Sequence, residues 1–101
     1  AAPGSVQATA TTEGKGRNRT VVSATVSWVD AADNETAYEV ERCVETGSKK
    51  NKVCNYDSNT RVTLGPGSTS WQDGSPESGS RYHVRAVNDI GESAWVESNK
   101  I

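Results

Sequence analysis

The sequence has no phenylalanine and no methionine, and it has one leucine, two isoleucines and one histidine among its 101 residues. Valine and threonine dominate instead, with 12 and 10 copies. These β-branched residues favour the pleated, half-buried surface of a sheet, and no window of useful length repeats apolar residues at helical spacing. The sequence therefore predicts a single all-β domain, because the chain is too short for two independent cores.

Long apolar runs and an excess of one charge are also missing. No segment approaches the roughly 20 apolar residues that cross a bilayer, and the N-terminus lacks the charged-then-apolar pattern of a signal peptide. The 11 basic and 13 acidic residues give a net charge of −2, and no basic stripe suited to a phosphate backbone occurs. We therefore expect neither a membrane nor a nucleic acid as partner. The basic cluster Lys49, Lys50 and Lys52 is interpreted as the solvated tip of a hairpin.

The two cysteines, Cys43 and Cys54, have ten residues between them, with turn-forming residues in the middle. A hairpin there would bring them opposite each other, so we predict a disulfide, which indicates an oxidising and hence extracellular compartment. Two free thiols in a cytosolic chain are the alternative. Two cysteines and one histidine do not complete a structural zinc site, so no metal and no cofactor is predicted.

Alternation of apolar and polar residues predicts several short strands, each with one inward face. The residues predicted to face inward are Val6, Ala8 and Ala10, then Val22, Ala24, Val26 and Trp28, then Tyr38, Val40 and Val44, and finally Tyr82, Val84 and Ala86. The opposite parity of the third segment carries Glu39, Glu41, Cys43 and Glu45. Cys43 is therefore predicted to lie on an exposed face or edge of a sheet.

Three further strands are predicted between turn signals. Residues 54–64 are expected to form a returning strand, interrupted near Asp57 to Asn59 and ended by the Gly-Pro-Gly run 65–67. Residues 69–73 are expected to form a short strand around Trp71, and residues 93–98 the last strand. Six or seven short strands without a helix predict a β-sandwich, with a small barrel as the structural alternative.

Three sequence landmarks occur in an order that resembles fibronectin type III domains. They are the stretches 25–28 (TVSW), 38–42 (YEVER) and 85–88 (RAVN) with 91–93 (GES). The resemblance spans residues 3 to about 96 and implies an immunoglobulin-like, two-sheet antiparallel β-sandwich of about seven strands. The stretch 28–42 looks most like copies carried by secreted bacterial enzymes and surface proteins.

Tyr82 departs from the pattern of that family. The family commonly places Leu-x-Pro-Gly-Thr-x-Tyr before strand F, whereas residues 76–82 are PESGSRY, in which only the glycine and the tyrosine match. Tyr82 also arrives about two residues later than the usual corner tyrosine. We therefore do not expect its hydroxyl group to make the hairpin-capping hydrogen bond.

No catalytic arrangement is predicted. His83 is the one candidate base for a nucleophile, but its parity points it away from the core, and no Gly-x-Ser-x-Gly turn supplies a serine. We interpret it as an exposed spectator. Asp30, Asp33 and Glu35 lie close in sequence without an aromatic neighbour to raise one pKa, so a solvated loop is favoured over an acid–base pair or a calcium site.

Trp95 and Tyr56 are the candidate ligand contacts, because exposed aromatic rings can stack on sugars. The loop from Asp30 to residue 36 is a further candidate surface. The sequence alone does not show whether the two rings lie side by side. Asn18 and Asn34 begin glycosylation acceptor triplets in predicted loops.

Residues 1–4 are interpreted as the remnant of a linker, and residues 5–101 as one domain. The first hypothesis is a non-catalytic accessory or spacer module of a larger secreted or cell-surface protein, with a bacterial extracellular hydrolase as the expected parent. Its partners would be the neighbouring domains, and the isolated fragment is expected to be a monomer. The alternative hypothesis is a module that binds polysaccharide or a cell-surface protein.

Overall fold

The computed structural model describes residues 3–14, 20–30, 35–47, 52–77 and 79–101. Eight strands lie within these ranges: β1 (Gly4–Glu13), β2 (Thr20–Val29), β3 (Ala37–Val44), β4 (Asp57–Leu64), β5 (Ser70–Asp73), β6 (Ser80–Asn88), β7 (Gly91–Glu92) and β8 (Val96–Glu97). Over these ranges no helix is long and apolar enough to cross a membrane.

The strands form two antiparallel sheets. One sheet has the order β1–β2–β5, and the other has the order β4–β3–β6–β7, with β8 also paired to β6. β3 and β6 pair along their length, from Ala37 opposite Val87 to Val44 opposite Ser80. The predicted all-β, two-sheet antiparallel sandwich is confirmed. The described ranges hold eight strand segments: β7 precedes the last predicted strand, residues 93–98, within which only Val96–Glu97 form a strand, β8.

The core lies between the two sheets and contains most of the residues whose parity predicted an inward face; the exceptions, Ala10, Val22 and Val44, are half-buried and lie outside the core cluster. Trp28 of β2 packs against Tyr38 of β3 with ring centroids 5.6 Å apart, and Trp71 of β5 meets Tyr82 of β6 at 6.1 Å. These two contacts join the sheets through aromatic rings, which bury a large apolar area for each residue. The buried core cluster comprises Val6, Ala8, Ala24, Val26, Trp28, Tyr38, Val40, Tyr82, Val84 and Ala86.

The returning strand begins later than predicted. Residues 54–56 lie outside any strand, and β4 starts at Asp57, where the sequence suggested an interruption. The pairing with β3 is irregular at that point, because Arg42 pairs with Asp57 although Val40 pairs with Val62. Thr60 occupies the irregular segment, and its hydroxyl oxygen accepts a hydrogen bond from the Arg42 amide at 2.8 Å. The expected interruption is therefore an irregularity in the pairing, with three extra residues on β4, and the prediction that residues 54–56 belong to the strand is wrong.

The first half of the last predicted strand, residues 93–98, is wrong: residues 93–95 lie outside any strand, and one extra residue separates β7 from β8. Val84 and Val87 of β6 are three residues apart in sequence. Their pairing partners, Val96 of β8 and Glu92 of β7, are four residues apart. The side chain of Ser93 replaces a backbone acceptor here, since its Oγ accepts from the Ala86 amide at 2.9 Å. This bulge reverses the alternation of side-chain directions between β7 and β8.

Asn99 covers part of the free edge of β1. Its Oδ1 accepts from the Ala8 amide at 2.9 Å, and its Nδ2 donates to the Ala8 carbonyl at 2.8 Å. The carboxamide thus satisfies both backbone groups of an edge residue, as a neighbouring strand would. Covered edges are less prone to pair with other chains.

The described chain enters and leaves the sandwich at opposite ends. Gly4 at the start of β1 pairs with Val29 at the end of β2, close to the start of β3. Ile101 donates its amide to the Ser80 carbonyl at 3.0 Å, and Ser80 lies opposite Val44 at the end of β3. The principal-axis extents are 46 × 29 × 23 Å.

Candidate functional site

Three rings form a continuous stack on the outer face of the β4–β3–β6 sheet. Tyr56 and Trp95 each lie 3.6 Å from His83 between ring centroids, with interplanar angles of 6° and 11°. Two rings cannot occupy the same face of an imidazole at that distance, so they lie on its opposite faces. We call Tyr56, His83 and Trp95 the ring stack.

Arg85 extends the stack at the Trp95 end. Its guanidinium carbon lies 4.3 Å from the centroid of the Trp95 ring. His83 already occupies one indole face, so the guanidinium group lies over the other and makes a cation–π contact. Arg85 Nε also donates to Glu39 Oε1 at 2.7 Å, which holds it in place. Both faces of the indole are therefore in contact with protein groups.

Tyr56 closes the other end of the stack. Its hydroxyl donates to Glu97 Oε2 at 2.7 Å. Burial, together with this hydrogen bond to an acidic side chain, raises the pKa of the Tyr56 phenol. The phenol therefore stays protonated and remains a donor at ordinary pH. Tyr56 and Trp95, the two ring residues predicted as ligand contacts, thus lie on the same face but on opposite sides of His83.

His83 is paired with a buried carboxylate beneath the stack. Its Nε2 lies 2.8 Å from Glu41 Oε1, and Arg61 Nη2 lies 2.7 Å from Glu41 Oε2. Burial raises the pKa of Glu41, but the hydrogen bonds from His83 and Arg61 outweigh it and the net pKa is lowered. An ionised Glu41 only accepts hydrogen bonds, so Nε2 carries the proton and Nδ1 is the nitrogen that titrates.

The predicted exposure of His83 is wrong. The side chain does lie on the outer face, as its parity predicted, but the residue is only 8% exposed because Tyr56 and Trp95 cover it. Burial lowers the pKa of His83 despite the hydrogen bond with Glu41. A usable signal was present in the sequence. The outward-facing positions of residues 39–45 are mostly acidic, and the outward-facing positions of residues 81–85 are basic.

The pairing of β3 with β6 places these acidic and basic side chains opposite each other, where they form ion pairs. Glu39 lies opposite Arg85, and Glu41 lies opposite His83. Their charges are complementary across the strand pair, an arrangement that stabilises a sheet face. The ion pairs on this face are Arg85 with Glu39, Arg61 with Glu39 and Glu41, and Arg81 with Glu45 and Glu97. Single exposed ion pairs contribute little to stability. The buried charge of Glu41 would be strongly destabilising without its partners.

The disulfide between Cys43 and Cys54 is present, with Cα atoms 5.3 Å apart. The predicted exposure of Cys43 is wrong, since that residue is only 2% exposed. The parity was correct, but the segment that carries Cys54 folds over the sheet face and covers it. An isolated bridge between Thr46 and Val53 holds the base of that segment.

An open cleft of about 520 Å³ lies beside the disulfide. Its lining residues are Glu45, Lys52, Cys54, Arg81, Glu97 and Lys100. Glu45 is the central carboxylate, with Lys52 Nζ at 3.4 Å, Lys100 Nζ at 3.5 Å and Arg81 Nε at 3.7 Å. Lys52, predicted as part of a solvated hairpin tip, therefore belongs to this cleft. Lys49 and Lys50 lie outside the described residues.

A second polar cluster joins the two sheets at the core. Tyr82 donates its hydroxyl to Asp73 Oδ2 at 2.8 Å, and Arg42 Nη1 donates to the same oxygen at 2.8 Å. Ser75 donates its amide to Asp73 Oδ1 at 3.0 Å. Burial raises the pKa of Asp73, but these three donors outweigh it and the net pKa is lowered. Tyr82 thus bonds to a side chain across the sandwich.

Two of the acidic loop residues, Asp30 and Glu35, lie near the hydroxyl group of Tyr38, an aromatic neighbour that the sequence did not indicate. Asp30 accepts the hydroxyl of Tyr38, and burial together with this contact raises the pKa of Tyr38. Glu35 accepts the amide of Gly67 at 3.3 Å. The remaining predicted positions, Asp33, Asn34 and Asn18, lie outside the described residues. Over the described ranges no three His, Cys, Asp or Glu side chains are grouped closely enough to hold a metal ion.

Comparison with known proteins identifies the fold. No family model and no curated protein matches the sequence. Among solved structures, the third fibronectin III domain of the human KIAA0343 protein is similar, with a TM-score of 0.57 and 20% sequence identity. The match covers 97% of this chain and 79% of that chain. The fold is therefore a fibronectin type III-like sandwich, as the sequence resemblance implied.

Proposed function

We propose that this chain is a non-catalytic module that spaces or orients neighbouring domains of a larger secreted or cell-surface protein. One observation carries the proposal: the chain enters the elongated sandwich beside Val29 and leaves beside Ser80, at the opposite end. The longest extent of the sandwich is 46 Å. Domains attached before and after it would be separated by about this length. Domains with this fold are commonly non-catalytic, although fold alone does not decide function.

The disulfide supports the extracellular part of the proposal. Disulfides persist mainly in oxidising compartments, and the Cys43–Cys54 bond closes over the outer sheet face. A bacterial extracellular hydrolase is the parent we propose, because the stretch 28–42 resembles copies in such enzymes.

The test is to fuse this chain between two fluorescent proteins and to measure the distribution of donor–acceptor distances. The control is a flexible Gly/Ser linker of 101 residues, whose root-mean-square span is roughly 50–60 Å. Because that mean is close to the length of the sandwich, the width of the distribution decides the result. We expect a narrow distribution that broadens only when the sandwich unfolds. A distribution as broad as that of the linker in the folded state would contradict the proposal.

The binding alternative concerns the ring stack. Its three rings do lie together on one face, which a sugar-binding platform would need. A sugar ring stacking on Trp95 would, however, have to displace either His83 or Arg85, since each covers one indole face. Retention on a panel of insoluble polysaccharides that is lost in Trp95→Ala would support this alternative.

A further inference from the structure

Tyr56 reaches the ring stack from a segment with no strand pairing of its own. Residues 54–56 lie between the Thr46–Val53 bridge and the start of β4. Within residues 54–56, the structure shows two links to the sheet face. One is the disulfide from Cys54 to Cys43, and the other is Tyr56 itself, through its stacking on His83 and its hydrogen bond to Glu97. The covalent link lies two residues from the ring.

The two cysteines of the disulfide are not equally exposed. Cys43 is 2% exposed and lies within β3, which is flanked by β4 and β6. Cys54 is half-buried and lines the open cleft. The cleft carries three cations, Lys52, Arg81 and Lys100, against two carboxylates. Its lining therefore has a net positive charge, which favours the approach of an anionic thiolate.

We propose that the Cys43–Cys54 disulfide is a redox-sensitive latch for the ring stack, opened by a small thiol that attacks Cys54 through the cleft. The thiolate sulfur bonds to Cys54 Sγ while the bond between the two protein sulfurs breaks. Cys43 leaves as a thiolate and takes up a proton from solvent. A second thiolate attacks the external sulfur of the mixed disulfide and releases Cys54. In total the protein disulfide is reduced by two electrons, and two thiols are oxidised to one disulfide.

Opening the latch frees the backbone that holds Tyr56 over His83. His83 then loses the cover of one ring face, and the burial that lowers its pKa is reduced. Because it is the only histidine in the chain, its imidazole signal is an unambiguous reporter. The charged and titratable groups around it are Glu41 from β3, Arg61 from β4, Tyr56, Glu97 from β8, and Arg81 and Arg85 on its own strand.

The first experiment maps the attack. The oxidised protein is treated with 2-mercaptoethanesulfonate, quenched by alkylation and digested, and the adducts are identified by mass spectrometry. We expect the adduct on Cys54 and a free, alkylated Cys43. An adduct mainly on Cys43, or a rate no faster than that of buried disulfides in general, would overturn the proposal.

The second experiment tests the role of the cleft with a matched pair of thiols. 2-Aminoethanethiol has the same carbon skeleton as 2-mercaptoethanesulfonate but the opposite charge. Their rate ratio on the folded protein is divided by their ratio on the urea-unfolded protein, which removes their intrinsic difference in reactivity. We expect a preference for the anion at low ionic strength. Lys52→Gln should reduce this preference by a factor of about 16, because the two thiols differ by two unit charges and one unit charge at about 5 Å in water is worth about fourfold. An unchanged preference would exclude the cleft as the route.

The third experiment tests the latch itself by NMR titration of the His83 Cε1–H signal. We expect the pKa of His83 to be higher in Cys43→Ser/Cys54→Ser than in the oxidised protein. Tyr56→Ala should give the same upward shift with the disulfide intact. An unchanged pKa in a folded double variant would overturn the latch. If that variant does not fold, the purified Cys54 mixed disulfide is titrated instead, with the same two outcomes.

Discussion

Replacing Tyr82 with phenylalanine would remove one buried hydroxyl group that joins the two sheets. The Tyr82 residue has no exposed surface, and its hydroxyl donates to Asp73 Oδ2 at 2.8 Å. Asp73 lies on β5 of the opposite sheet. In the variant its carboxylate keeps the donors from Arg42 and Ser75 but loses the third. No atom is added, so the phenylalanine ring fits the same space.

The expected loss is about 2 kcal/mol of unfolding free energy. A hydrogen bond to a charged group contributes roughly 1.5–3 kcal/mol, and the lower half of that range applies because Arg42 still neutralises the carboxylate. For a chain of this size the melting temperature should fall by roughly 10 °C.

The effect of the Tyr82 substitution should depend on pH. The folded-state pKa of Asp73 lies below its ordinary value near 4, so its ionised form contributes stability above about pH 4 and loses that contribution at lower pH. Tyr82→Phe removes one of the donors that lower this pKa. The difference between the two proteins should therefore be largest above pH 4 and should narrow as Asp73 becomes protonated in both.

The assay is urea unfolding of both proteins at several pH values, with Tyr38→Phe as matched control. Tyr38 is also fully buried and donates to a carboxylate, but that carboxylate, Asp30, is exposed. We expect the control to lose about 1 kcal/mol or less, since water can replace the lost donor. Equal losses in the two variants at pH 7, or a Tyr82→Phe effect that stays constant as the pH falls through the folded-state pKa of Asp73, would refute this account of the Asp73 cluster.

Three further predictions concern the outer face and the sheet edge. Trp95→Ala should lower the unfolding free energy by about 2 kcal/mol through lost stacking and cation–π contact, whereas Ile90→Ala, at a residue that is 92% exposed, should change it little; urea unfolding measures both. Asn99→Ala should cost about 1–2 kcal/mol, because both Ala8 backbone bonds are lost, and light scattering should show more self-association if the uncovered edge pairs. Stability should fall as the pH drops below about 6.5, because burial keeps the pKa of His83 low and the unfolded chain then binds more protons than the folded protein. In His83→Gln the urea midpoint should change less between pH 7 and pH 5 than in the unsubstituted protein. A pH dependence of the midpoint that the substitution leaves unchanged would exclude His83 as its source.

Inward-facing residues could be predicted from the sequence because the core is a property of each strand by itself. Alternation in a strand with one buried face assigns Val26, Tyr38 and Val84 to the interior without knowledge of their neighbours. The outer face is different, since parity says which side a residue lies on but not what covers it. His83 and Cys43 were both placed on the correct side and both wrongly expected to be exposed. What buries them comes from segments more than ten residues away.

Tyr82 shows the same limit inside the core. Its inward direction followed from alternation, but its acceptor did not, because Asp73 lies on a strand of the other sheet. The position of Tyr82 along the chain bears only on a hydrogen bond from its hydroxyl group to a nearby backbone carbonyl. Partners across a sandwich depend on topology, and the spacing within one strand does not carry that information.

Trp95 depends on a single inserted residue. Val87 points away from the core, and its partner Glu92 therefore does as well. Strict alternation from Glu92 would send Trp95 inward and Val96 outward. The bulge reverses both, so that Val96 packs on the core and Trp95 enters the space between His83 and Arg85. Ser93 makes this possible because its hydroxyl group supplies the acceptor that the displaced backbone no longer offers to Ala86. The ring stack thus exists because one serine side chain compensates for one lost ladder bond, and a sequence pattern of period two has no means of indicating it.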